Sequence, residues 1–383
     1  MVSHIFYWDC RDFFYSNVFI YLPSCTLLPV LLTFTPLLEY VLMIRGKYFS
    51  CYQIKKKKGG IILCDPRTSA IFDATRFDII DQRDEWKRVL SQYKTLHTDP
   101  DFLTQTLREK IERYGVMLTM KKSPITEQRI IKSPQEIEKL RTAQKLNKAV
   151  YKKILPYLVP WVTEAEIARK IQILQLELGA SGPSFPPIVA FGEHSAIPHH
   201  EVTDRKLQSG DPVLLDMGLV YRWYCSDMTR CLQLEKKEKR KEKKDGAIKS
   251  WDSFEEIYSL LQSIVETLVP MAKPGVKVSD LDKKAREMLG DDLIPYFLHS
   301  LWWHGIGIDC HEAPHVVGRS PDILQTGMVI TIEPGLYFWN TVEMRQEKKR
   351  SFPKNQQLKT NNQVFGARYE EMVLVTERGG EVL

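Results

Sequence analysis

The run Val213-Leu214-Leu215-Asp216-Met217-Gly218 constrains this chain more than any other, because it sets a carboxylate inside what otherwise reads as a buried strand. A charge in an apolar strand is costly unless it is paired or bound to a cation. Asp227 follows eleven residues later, in Ser226-Asp227-Met228-Thr229-Arg230, on the next strand-like run. Adjacent antiparallel strands can place two such residues side by side. Glu333 follows the apolar run Met328-Val329-Ile330-Thr331-Ile332, and Glu370 with Glu371 precedes Met372-Val373-Leu374-Val375. Two readings compete. Either the acids are unrelated, with Asp216 salt-bridged to a buried arginine, or four strands deliver carboxylates to one dry site where divalent cations offset their repulsion.

The stretch Trp303-His304-Gly305-Ile306-Gly307-Ile308-Asp309-Cys310-His311-Glu312-Ala313-Pro314 adds imidazole to this set, with its two histidines seven residues apart. Gly305 and Gly307 permit close backbone approach and unusual dihedrals, so the segment reads as a shaped turn and not as an amphipathic helix. Hard carboxylates with a single imidazole suit manganese, cobalt, iron or zinc better than calcium.

Bulk properties exclude several classes. With 383 residues, 43% apolar and 27% charged, the chain has room for two globular domains. Its seven cysteines form no Cys-x-x-Cys pair, which reads as reduced thiols in a cytoplasm. Much of the net charge of +6 sits in the block Glu235 to Asp245, where seven of eleven residues are basic. Such a block is a solvated loop or fraying helix and, without interleaved aromatics, argues against nucleic-acid binding.

In chain order, Phe13 to Leu38 carries no charge over twenty-six residues, but Pro23, Pro29 and Pro36 interrupt it. It reads as core of an N-terminal domain, atypical over residues 1–45, in preference to a membrane helix. The lysine run Lys55 to Lys58 before Gly59-Gly60 has the look of a hairpin tip, and Ile61 to Cys64 and Ala70 to Asp73 read as strands. A helix is expected at about Asp101 to Tyr114, with Leu103, Leu107 and Ile111 on one face. A boundary near Ser123 to Ser133 divides the chain into domains at 1–130 and 131–383.

Beyond it, Ser133-Pro134-Gln135-Glu136 and Thr163-Glu164-Ala165-Glu166 are capping boxes that open two helices. A similar pair follows about a hundred residues later, one helix from Phe254 to Leu268, ending at Val269-Pro270, and another opening at Ser279-Asp280-Leu281. This hints at two halves facing each other across one cleft, each ending in strands that carry polar residues.

Together these motifs resemble the pita-bread metallopeptidases, the group of methionine aminopeptidase, Xaa-Pro aminopeptidase and prolidase. The resemblance covers Ser133 to the C-terminus, roughly two thirds of the chain. It implies an α/β (α+β) fold, a pita-bread domain with a pseudo-two-fold antiparallel sheet flanked by helices, preceded by a smaller α/β domain like that of the proline-specific branch. It implies Asp216, Asp227, His304, Glu333 and Glu370, not Glu371, as ligands of two divalent ions, manganese by preference, with cobalt, zinc or iron as alternatives. It implies that a hydroxide between the ions attacks the scissile carbonyl, with Glu333 as proton shuttle, His199 and His311 holding the peptide, and Arg368 orienting the carboxylates. His299 would contact the proline ring.

The implied function is a cytoplasmic Xaa-Pro aminopeptidase acting on peptides with proline second, with an Xaa-Pro dipeptidase as the nearest alternative. Methionine aminopeptidase fits the N-terminal domain less well, and a non-catalytic peptide binder fits the intact ligand positions less well. The resemblance also implies a homo-oligomer, a dimer. Three departures stand out. His299-Ser300-Leu301-Trp302-Trp303-His304 replaces the usual His-Ser-Leu-Gly-His, one residue longer and without the glycine. The charged run after Cys231 and the segment Thr341 to Gln363 lengthen two surface connections.

Overall fold

The computed structural model describes the backbone of four strands between residues 41 and 81, and then residues 85–98, 100, 103–121, 124–234, 253–297, 303–338 and 364–383. By its internal contacts the chain divides into two compact units, Met1–Gln128 and Arg129–Leu383.

The first unit contains β1 (Val41–Gly46), β2 (Phe49–Lys55), β3 (Gly60–Cys64) and β4 (Phe77–Asp81), in that spatial order, antiparallel except for the parallel pair β3 and β4. β2 and β3 are antiparallel neighbours; the hairpin tip expected at the lysine run lies, beyond Lys55, outside the described residues, as does the strand expected at Ala70 to Asp73. There follow α1 (Trp86–Leu90), β5 (Thr95–Thr98), α2 (Gln105–Glu112) and β6 (Met117–Met120), with β5 and β6 parallel. Leu107 and Ile111 of α2 are buried with Trp86, Leu90 and Leu96, and Leu103 packs against them, the face that helical spacing indicates. The helix is shorter than expected, because Thr104 caps it by accepting from Leu107 N. The apolar stretch Phe13 to Leu38 lies outside the described residues; among the described ones no helix is long and apolar enough to cross a membrane.

The chain passes between the units within α3 (Pro124–Ile130). In the second unit both capping boxes form. Ser133 accepts from Glu136 N while Glu136 accepts from Ser133 N to open α4 (Pro134–Ile154), and Thr163 with Glu166 opens α5 (Glu164–Glu177) in the same way. Next come β7 (Gly182–Pro183), β8 (Ile188–Phe191), β9 (Pro212–Met217), β10 (Leu219–Tyr221), β11 (Tyr224–Cys225) and β12 (Met228–Gln233). They form the antiparallel sheets β12-β9-β8 and β11-β10-β7.

The second helix pair is α6 (Phe254–Met271) and α7 (Val278–Leu293). Here the helix runs through Pro270 instead of ending before it. One proline near a helix's C-terminal end removes a single ladder bond and is tolerated. After the helices come β13 (Trp303–Gly305), β14 (Glu312–Val316), β15 (Val329–Ile332), β16 (Gly335–Phe338), β17 (Phe365–Arg368), β18 (Glu371–Thr376) and β19 (Gly379–Val382). They build the antiparallel sheet β14-β13-β15-β18-β19 and the pair β16-β17.

Each helix pair packs into an apolar core of its own, and β9 contributes to both. One core joins α4 and α5 to Val213, Leu215 and Met217, and the other joins α6 and α7 to Leu214, Ile330 and Ile332. Period-two alternation therefore puts Leu214 and Asp216 on one face of β9, opposite the face that packs on α4 and α5. The same alternation puts Thr331 and Glu333 opposite Ile330 and Ile332. Helix α4 also positions the acid-bearing loops directly, since Asn147 Nδ2 donates to Met217 O (2.7 Å) and Gln144 Nε2 to Asp227 O (3.0 Å). Leu261 of α6 is fully buried, so Leu261→Ala is expected to cost about 2–5 kcal/mol, read as a lowered urea midpoint.

Candidate metal centre

Five chain segments converge on a cavity of about 330 Å³. Asp216 comes from β9, and Asp227 from the turn into β12, where Thr229 lies directly across from Asp216. His304 comes from the middle of β13. Glu333 stands just beyond β15, and Glu370 in the turn before β18. All five line the cavity, together with His199, His311 and Arg368. His299 and Trp302 lie outside the described residues, as do the charged run and the segment Thr341 to Gln363.

The glycines beside His304 act through space and not through dihedrals. Neither Gly305 nor Gly307 has positive φ. A Cβ on Gly305 would sit 2.1 Å from Ala313 O, and one on Gly307 would sit 2.5 Å from Glu312 Oε1. Without side chains, Gly305 and Gly307 lie close against Ala313 and Glu312, and nearby the His304 and His311 rings meet edge to face at 4.2 Å.

His304 is oriented by the backbone of the next residue, with Nδ1 donating to Gly305 O at 3.0 Å. Nε2 then keeps its lone pair and points at Asp227 Oδ2 (3.7 Å) and Glu333 Oε1 (3.5 Å). Burial and the neighbouring His311 push its pKa down to about 3, so the ring is neutral.

The carboxylates show the opposite shift. Burial, then the charges of Glu370 and Asp216, raise Asp227 well above its ordinary value. Glu333 is likewise raised by burial and by Glu370. Burial and Asp216 bring Glu370 up to about 8. These acids cannot all ionise together without a compensating cation.

Part of that compensation is Arg368, whose Nη2 donates to Asp216 Oδ2 at 2.5 Å. The buried arginine partner that sequence posed as an alternative to a cation site is therefore present within the site. It satisfies only one oxygen, because Asp216 Oδ1 and Glu370 Oε1 are buried without a hydrogen-bond partner. Buried carboxylate oxygens left with free lone pairs suit cation ligation.

Three overlapping sets bring ligand atoms within 4.8 Å of one another: Asp216, Asp227 and Glu370; His304, Glu333 and Glu370; and Asp227, His304 and His311. The first two share Glu370, so the residues fit two adjacent divalent ions. Glu371 faces elsewhere, bonded to Arg230 and to Tyr369 Oη.

Three hydroxyls complete the arrangement without having been singled out from sequence. Thr229 Oγ1 donates to Glu370 Oε2 (2.8 Å) and accepts from Arg368 Nε (2.9 Å). Thr331 Oγ1 donates to Glu333 Oε1 (3.0 Å) and accepts from His304 N (3.2 Å). Tyr337 Oη accepts from Arg368 Nη1 at 2.5 Å. The threonines carried a readable signal, since each stands two residues along a strand from an acid and so shares its face. Tyr337 carried none.

A model of metallopeptidase family M24 matches residues 138–377. The chain belongs to that family. An uncharacterized peptidase of Staphylococcus aureus strain USA300 is 34% identical over 260 residues, which is 68% of this chain and 64% of that protein, so the match spans slightly less than two thirds of the relative's length. Among solved structures of similar fold, an Xaa-Pro dipeptidase from Bacillus anthracis superposes with a TM-score of 0.72 at 27% identity, covering 87% of this chain and 86% of that one. A prolidase from Pyrococcus furiosus gives 0.71 at 26% identity, covering 88% and 90%. The antiparallel sheets flanked by helix pairs are thus the pita-bread fold of the M24 peptidases.

The clustered acids set the pH dependence of the metal-free M24 chain. A carboxylate whose folded pKa is raised destabilises the fold as pH rises from its unfolded value to its folded one. For Glu370 this window runs from 4.5 to about 8. Metal-free protein is expected to lose thermal stability across that window, and Glu370→Gln to flatten the loss, as followed by Tm at fixed ionic strength.

Proposed function

We propose that this chain is a dinuclear metallo-exopeptidase that releases the N-terminal residue from peptides with proline in second position. The convergence of Asp216, Asp227, His304, Glu333 and Glu370 on one cavity carries this reading. Two divalent ions bound there would supply a nucleophilic hydroxide at neutral pH and polarise the scissile carbonyl.

The chain's own residues do the rest. Arg368 fixes Asp216 and Thr229, and Thr229 and Thr331 fix Glu370 and Glu333. Rigid donors of this kind keep the carboxylates from collapsing onto other partners. Glu333, which lines the cavity and is raised well above the ordinary carboxylate range by burial, would carry a proton to the leaving nitrogen. His199 and His311 stand at the rim, and burial lowers both below 6.5, with the charge of Arg368 acting further on His199. Each is therefore neutral near pH 7 and can donate one N–H to a substrate oxygen without adding positive charge beside the cations.

Proline explains why a dedicated site is needed. A prolyl peptide bond has no N–H and a fixed φ, which defeats ordinary extended-strand recognition. Phe185, Pro186 and Tyr337 supply an apolar wall to the same cavity. A second reading restricts the enzyme to Xaa-Pro dipeptides, and it is favoured by the likeness to the Bacillus anthracis dipeptidase and the Pyrococcus furiosus prolidase.

A manganese-supplemented assay on Xaa-Pro dipeptides, longer Xaa-Pro peptides and Met-Ala peptides tests both readings. Turnover of the longer Xaa-Pro peptides is expected; turnover of dipeptides alone supports the second reading, and turnover of Met-Ala alone rejects both. Asp227→Asn and His304→Ala are expected to abolish turnover, and normal rates after chelation and metal repletion would sink the assignment. His311→Ala is expected to lower kcat on the order of 10²-fold with metal content unchanged. In the parent enzyme, protonation of the two rim histidines places the acid limb of the pH–rate profile below 6.5.

A further inference from the structure

Glu164 opens α5, yet it takes no part in the capping box formed by Thr163 and Glu166. Its side chain turns inward and is fully buried. Its Oε1 accepts from Phe191 N and His194 Nδ1, both at 2.9 Å. Its Oε2 accepts from His200 Nε2 (2.8 Å), Thr203 N (3.0 Å) and Thr203 Oγ1 (2.7 Å). Burial alone would raise this acid, but the five bonds, led by that from His200, bring its pKa down to about 2. It is an anion throughout the physiological range.

Two backbone N–H groups and a hydroxyl already anchor this carboxylate to both ends of the segment from Phe191 to Thr203. Fastening that segment does not require imidazole. Nevertheless two imidazoles converge on the same group, their ring centroids 4.4 Å apart. Among the described residues they are its only ion-pair partners, and the nearby Arg205 is engaged by Glu193 and Asp211.

We propose that Glu164, His194 and His200 form an additional cation site, separate from the carboxylate-rich centre and selective for zinc-like ions. Their ligand atoms lie within 4.8 Å of one another. Two nitrogens and one oxygen are a three-ligand zinc set, which leaves a fourth position for water. In a tetrahedral site with bonds of about 2.0–2.1 Å, ligand atoms stand roughly 3.3 Å apart. His194 Nδ1 stands 2.9 Å from Oε1 and His200 Nε2 2.8 Å from Oε2, so ligation of one cation by both rings and the carboxylate requires a shift of one ring. His194 can supply it, since its side chain is 26% exposed, whereas that of His200 is 6% exposed.

The bonds from Phe191 N and Thr203 would then orient the ligating carboxylate from behind, as outer partners do in metal sites. Donor chemistry separates the two centres. Imidazole-rich sites prefer zinc, while manganese and magnesium favour carboxylates. Occupancy would have a consequence at the cavity, because His200 lines it and directly follows His199. A cation here would fix the backbone that presents His199.

The test is a zinc count by equilibrium dialysis and elemental analysis on the wild-type chain and on the double variant His194→Ala, His200→Ala. Wild type is expected to hold one zinc per chain more than the variant. Equal counts overturn the proposal. Because only the difference is read, the result does not depend on what the carboxylate-rich centre binds.

Should the double variant fail to fold, the wild-type chain gives a second measurement. His194 is modified with diethyl pyrocarbonate and quantified by mass spectrometry, with zinc, with magnesium or with neither. Shielding by zinc and not by magnesium is expected. Equal modification in all three overturns the proposal.

Discussion

The repulsion among buried carboxylates is the constraint on which the second unit depends. Asp227, Glu333 and Glu370 lie close enough, and dry enough, to hold one another's protons. Such a cluster stays open only if something rigid prevents its members from finding other partners. Arg368, Thr229, Thr331 and Tyr337 do this by taking selected lone pairs and leaving others free, notably Asp216 Oδ1 and Glu370 Oε1. The helices contribute at one remove, since α4 bonds the carbonyls of Met217 and Asp227 through Asn147 and Gln144.

This arrangement explains why strands from both halves of the unit are needed. A single sheet presents acids on one face in a row, which spreads charge along a strand. Bringing Asp216 and Asp227 from one half against His304, Glu333 and Glu370 from the other surrounds a small volume instead. One apolar core lies under α4 and α5, and a second, under α6 and α7, takes in Ala190, Leu214 and Cys231 of the first half as well, so the polar cavity is lined from both sides without exposing either core.

Much of this was readable along the chain. The capping boxes at Ser133 and Thr163 act over four residues and form as written. The acids at 216 and 333 were legible because a carboxylate in or directly after an apolar strand is costly unless it is paired or bound to a cation. Where local rules were too coarse, the structure differs in detail. Thr104 starts its helix later than periodicity indicates, and α6 continues through Pro270. The glycines at 305 and 307 signalled a shaped segment, but the reason is steric clearance against Ala313 and Glu312 and not a special φ.

Sequence by itself determined which residue types could meet: hard carboxylates and one imidazole, carried in or beside apolar strands. Those are local properties, set by side-chain chemistry and by the cost of charge in an apolar strand. Only the tertiary structure decided which lone pairs are spent and which remain. That Arg368 serves both Asp216 and Tyr337, and that Glu164 gathers two histidines, follow from contacts between residues 30 to 152 positions apart. No periodicity spans such separations, because they are set by how the sheets and helix pairs pack.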